Sequence, residues 1–76
     1  MSNEKNAFEI VAIELGIAKS KHLMFPEQPA EALAIITEEL GELAEAINDE
    51  EISIRQIEEA AHIAVTAIRF IEGSLK

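Results

Sequence analysis

The sequence predicts an all-α fold: a small bundle of three main helices, completed by other copies of the same chain. Three observations carry this. Apolar residues recur at alternating steps of three and four along two long stretches, which is the period of a helix seam and not of a strand. Alanine, isoleucine, leucine and glutamate dominate the composition, and that mixture favours helix. The only two prolines, Pro26 and Pro29, fall close together and punctuate one linker instead of interrupting a helix.

With 76 residues, of which 49% are apolar, the chain reads as one domain, 1–76, near the lower limit for a self-sufficient core. There is no cysteine, hence neither a disulfide framework nor a thiolate metal site.

The first helix is expected over about 3–21. Asn6 and Glu9 form a capping pair, with Asn3 as a competing cap. Phe8, Val11, Leu15 and Ala18 make one apolar stripe, and Ile10, Ile13 and Ile17 a second beside it. The second helix is expected over about 29–47, with Pro29 in its first turn, where the missing N–H costs nothing. Its seam is Leu33, Ile36, Leu40, Leu43 and Ile47. Asn48 to Glu51 is too polar to bury and marks a turn. Ser53 with Gln56 forms a capping box that opens the third helix, expected over about 53–73. That helix carries Ile54, Ile57, Ala61, Ala64, Ile68, Ile71 and Leu75 as its seam, and Ile63, Val65, Ala67 and Phe70 away from it. A helix apolar nearly all round needs cover on several sides, and in so short a chain that cover must come from other subunits. The short connection makes the second and third helices an antiparallel pair.

Fifteen acidic residues against six basic ones give a formal charge of −9. Nucleic-acid binding relies on a basic stripe, so this balance argues against it, and equally against an anionic membrane surface. Glutamates interrupt both long apolar stretches, so neither reads as a membrane span. The first residues lack the basic start and apolar block of a signal peptide, which makes a cytoplasmic location the expectation.

The carboxylates are not all placed alike. Glu31, Glu38 and Glu45 lie on a face away from the seam of the second helix, where solvent suffices as an explanation for Glu31 and Glu45. Glu39 and Glu42 share a stripe with Ala32, Ile35 and Ala46, and charge among apolar groups is costly unless it is paired or bound to a cation. On the third helix Glu59 lies on a face with Ile63, Thr66 and Phe70, and His62 stands one turn on. An antiparallel pair can bring Glu39, Glu42, Glu59 and His62 together around a divalent cation. Carboxylate oxygens suit Mg²⁺ or Mn²⁺, and the imidazole tilts the preference toward Mn²⁺ or another transition metal.

These residues resemble a known pattern. Glu38-Glu39-Leu40-Gly41-Glu42-Leu43, followed by Glu59-Ala60-Ala61-His62, is similar to the signature of the MazG-like all-α nucleoside triphosphate pyrophosphohydrolases: Glu-Glu-x-x-Glu, then Glu-x-x-Asp. The resemblance spans about 25–73, and His62 stands where that family has aspartate. It implies hydrolysis of a nucleoside triphosphate to monophosphate and pyrophosphate, Mg²⁺ as cofactor, a homodimer or homotetramer, and a housecleaning role toward the nucleotide pool. It also implies that Glu39, Glu42 and Glu59 ligate metal, with His62 in the fourth place, and that Glu38 and Glu39 serve the chemistry. Lys19 and Lys21 are the first candidates for the phosphates, with Arg55 and Arg69 behind them. The competing expectation is an oligomeric helical protein that keeps the fold without the catalysis. A third is a carboxylate-bridged metal protein, since Glu-x-x-His also occurs in di-iron bundles.

Overall fold

A computed structural model describes residues 6–75. Among them are three helices and no strand: α1 (Ala7–Lys21), α2 (Pro29–Asn48) and α3 (Ser53–Ser74).

Asn6 caps α1 as the sequence suggests. Its side chain accepts the Glu9 N–H at 2.9 Å, while its own N–H donates to Glu9 Oε1 at 3.1 Å. Because Asn6 keeps the extended cap conformation, the helix starts at Ala7 and not near position 3. Residues 3–5, including the competing cap Asn3, lie outside the described residues. Lys19 and Lys21 fall in the last turn, where cations complement the helix dipole.

Pro29 opens α2 as expected. The helix closes in a Schellman motif. The Glu51 N–H donates to the Ala46 carbonyl at 2.9 Å, the Glu50 N–H donates to the Ile47 carbonyl at 3.1 Å, and Glu50 sits in the left-handed region at φ 54°. The start of α3 departs from expectation. Ile52, extended at φ −61° and ψ 154°, is the cap, and no side chain bonds there. Ser53 is already helical, so it cannot form the expected box. Gln56 Nε2 reaches back instead to the Glu51 carbonyl at 3.0 Å.

The third helix is the spine of the domain. It packs against both α1 and α2, which do not pack on each other among the described residues. The four-residue connection between α2 and α3 makes them the expected antiparallel hairpin. The whole is a slab of 41 × 31 × 18 Å, less than two helix diameters thick, so its interior is slight. The fully buried apolar residues are Ala32, Ala46, Ala61 and Val65.

The expected seam of α2 faces α3 only in part, through the half-buried Ile36 and Leu43. Leu33, Leu40 and Ile47 are 62%, 57% and 52% exposed. The buried or half-buried positions are Ala32, Ile35, Ile36, Glu39, Leu43 and Ala46. Small alanines at 32 and 46 let the two backbones approach closely, which bulkier leucines would prevent. In α3, likewise, Ala61, Ala64 and Ile68 are covered while Ile54, Ile57, Ile71 and Leu75 are exposed. Each predicted seam is therefore split, with some of its members covered and its other large apolar residues pointing outward. No helix among the described residues is long and apolar enough to cross a membrane.

Candidate metal centre

Two residues one turn apart on α3 form the base of the site. Glu59 is 2% exposed, and its burial leaves no water to solvate the carboxylate. Neighbours compensate. Glu59 Oε2 accepts from Arg55 Nη2 at 2.5 Å, and Oε1 lies 3.2 Å from His62 Nδ1. Arg55 is itself exposed and also reaches Glu51 and Glu58, each at 3.5 Å. The Glu59 charge is the largest cause holding the Arg55 guanidinium above its ordinary pKa.

Glu39 reaches the same point from α2. Its Oε2 is buried and has no hydrogen-bond partner. His62 Nδ1 lies 3.5 Å from it, without hydrogen-bond geometry. Burial, foremost, raises the pKa of the Glu39 carboxyl; the charge of Glu42 adds to this, His62 opposes it, and Glu59 and Glu38 add further. One ligand atom each from Glu39, Glu59 and His62 lies within 4.8 Å of the others.

A fourth group comes from α1. Glu14 Oε1 stands 3.2 Å from the other ring nitrogen of His62, Nε2. Sequence reasoning passed over Glu14. The signal was present: the half-buried positions of α1 are Ile10, Val11, Glu14, Leu15 and Ala18, and Glu14 is the one carboxylate in that inward stripe.

The other expected site residues are distributed unevenly. Glu42 is exposed and is not among the three converging residues. Glu38 is exposed and forms part of the wall of a cavity of about 480 Å³ beside the cluster, where Lys21, Phe25, Glu39, His62 and Arg69 also contribute. Lys19 lies elsewhere, paired with Glu72 at 3.1 Å on the rim of a second cavity. Arg69 is 7% exposed, donates to the carbonyls of Ala18 at 3.5 Å and Leu23 at 3.2 Å, and stacks over Phe25.

The donor set suits a divalent cation. Two carboxylates and one imidazole converge, one carboxylate oxygen is buried and unpartnered, and the crowding that raises the Glu39 pKa is what a cation would relieve. Comparison with protein-family models, with curated proteins and with solved structures finds no match to this chain.

Proposed function

We propose that the protein is a metal-dependent hydrolase that cleaves a nucleoside triphosphate to monophosphate and pyrophosphate, as its resemblance to MazG-like pyrophosphohydrolases implies. The observation that carries the reading is the buried, unpartnered Glu39 Oε2, converging with Glu59 and His62 beside an open cavity. Glu39, Glu59 and His62 would hold the ion, Mg²⁺ or Mn²⁺. When bound, such an ion neutralises the charge of a polyphosphate, polarises its phosphorus and makes water more acidic. Glu38, exposed on the cavity wall, is suited to take the proton of the attacking water. Lys21 and Arg69 line the same cavity and offer positive charge to the phosphates, which matters in a chain of net charge −9. Glu42, exposed and outside the cluster, adds negative potential at Glu39. A cytoplasmic housecleaning role accords with this chemistry.

Self-association belongs to the proposal. Leu33, Leu40 and Ile47 on α2, with Ile54, Ile57 and Ile71 on α3, leave apolar surface outward on both arms of the hairpin. A homodimer or homotetramer would cover it.

One observation favours a second reading, an oligomeric helical protein without catalysis. Both Glu59 oxygens already have partners in the chain, Arg55 and His62, so the cluster is partly satisfied without an ion. The test separates the two. Pyrophosphate release is measured with a panel of canonical and modified nucleoside triphosphates in Mg²⁺ or Mn²⁺, alongside calorimetric ion binding. Release that Glu39→Gln and Glu59→Gln each abolish supports the enzyme. Absence of both release and ion binding leaves the second reading.

A further inference from the structure

The geometry points to Glu14 as a positioning residue: by holding His62 Nε2–H, it turns Nδ1 toward Glu39 and Glu59 as the nitrogen that binds the ion. The inference rests on the metal reading above and adds a member from a third helix. An imidazole has two nitrogens, and the hydrogen bond made by one decides which nitrogen is free to coordinate. Metal-binding histidines commonly give the N–H of the second nitrogen to a carboxylate, which fixes the tautomer, orients the ring and makes the coordinating nitrogen more basic.

The three distances match that arrangement. Nε2 faces Glu14 Oε1 at 3.2 Å, while Nδ1 faces Glu59 Oε1 at 3.2 Å and Glu39 Oε2 at 3.5 Å. The ring thus spans the two sides of α3, with α1 behind it and α2 in front. Only Glu14 among the described residues bonds Nε2 and fixes the ring from that side. The consequence is specific to a histidine at position 62, since an aspartate there would have no second nitrogen to anchor. It also means that α1, which contributes no ion ligand, is coupled to the site.

Calorimetric titration with Mn²⁺ of the wild type, Glu14→Ala, Glu14→Gln and His62→Ala tests this. Glu14→Ala is expected to weaken Mn²⁺ binding about 10- to 100-fold. Glu14→Gln, whose amide oxygen still accepts the Nε2–H bond, should retain most of the affinity. Adding Glu14→Ala to His62→Ala should cost nothing further. If Glu14→Gln falls as far as Glu14→Ala, the effect is one of charge and the positioning role is overturned. If Glu14→Ala binds like the wild type, the role is overturned while the metal site stands; if the wild type binds no Mn²⁺, the metal reading fails and the role with it. Should Glu14→Ala fail to fold, nitrogen NMR of the wild type loaded with Zn²⁺ decides. A proton on Nε2 with the ion on Nδ1 is expected, and the reverse assignment overturns the proposal.

Discussion

Arg69 on α3 donates to the carbonyl of Leu23 at 3.2 Å and stands 5.3 Å from the centre of the Phe25 ring, so one buried guanidinium ties the linker after α1 to the spine of the domain. It also reaches the carbonyl of Ala18 in the last turn of α1, which accepts the His22 N–H at 2.8 Å as well. Replacing it with methionine keeps much of the stem but removes the donor to Leu23 and the second donor to Ala18. Arg69→Met is expected to lower stability by about 2 kcal/mol, in line with charge-assisted hydrogen bonds. Urea unfolding followed by circular dichroism checks the value.

Glu50 holds the left-handed position at the end of α2, a place where glycine carries no Cβ penalty. Part of the gain from glycine is lost to its greater freedom in the unfolded chain. Glu50→Gly is therefore expected to stabilise by about 1 kcal/mol, read as a higher denaturant midpoint at unchanged slope. A loss of stability would mean that the Glu50 side chain contributes more to the turn than its exposure suggests.

Gly16 lies inside α1, and a Cβ added there would meet nothing within 4 Å. Gly16→Ala should then stabilise by about 0.8 kcal/mol through helix propensity alone. A thermal melt compared with the wild type measures it.

Glu39 gives the stability a pH dependence with a definite sign. Burial, first, and the neighbouring carboxylates raise its pKa in the folded state. The folded protein then binds the proton more readily than the unfolded chain. The contribution is fully present below the unfolded-state pKa and is lost as pH rises through the folded-state pKa. At neutral pH the ionised Glu39 weighs against folding. Glu39→Gln should accordingly melt at least as high as the wild type at pH 7, with the difference shrinking in acid. Mg²⁺ or Mn²⁺ should raise the melting temperature of the wild type and leave that of the variant nearly unmoved.

Leu40 is 57% exposed between Leu33 and Ile47 on the outward stripe of α2. If that stripe is a subunit contact, Leu40→Glu should shift sedimentation toward the monomer while helicity is retained. A wild type that sediments as a monomer at micromolar concentration would remove self-association from the proposal.

Much of the fold was legible because it depends on local signals. Asn6 and Glu9 marked the start of α1, Pro29 the start of α2, and the polar run at 48–51 the turn before α3. Each works through neighbours a few residues away. The Ser53–Gln56 box failed because two residues could serve as the cap, and Ile52 took the extended conformation without a side-chain bond. Periodicity found two apolar stripes on α2 but ranked them by hydrophobicity, which favours leucine. Packing ranked them by fit, which favours alanine at a close crossing.

For the candidate site, the sequence by itself determined the acids in question and their spacing on two helices: Glu39 on the second apolar face of α2, and Glu59 one turn before His62 on α3. Those follow from the helical period alone. Only the tertiary structure decided the membership of the cluster. It left Glu42 outside, engaged Glu59 with Arg55, drew Lys19 away to Glu72, and set Glu14 against His62 from across 48 positions of sequence. Period fixes the direction a side chain takes from its own helix. Which group it meets depends on how the helices pack, and that is set jointly by contacts distant in sequence.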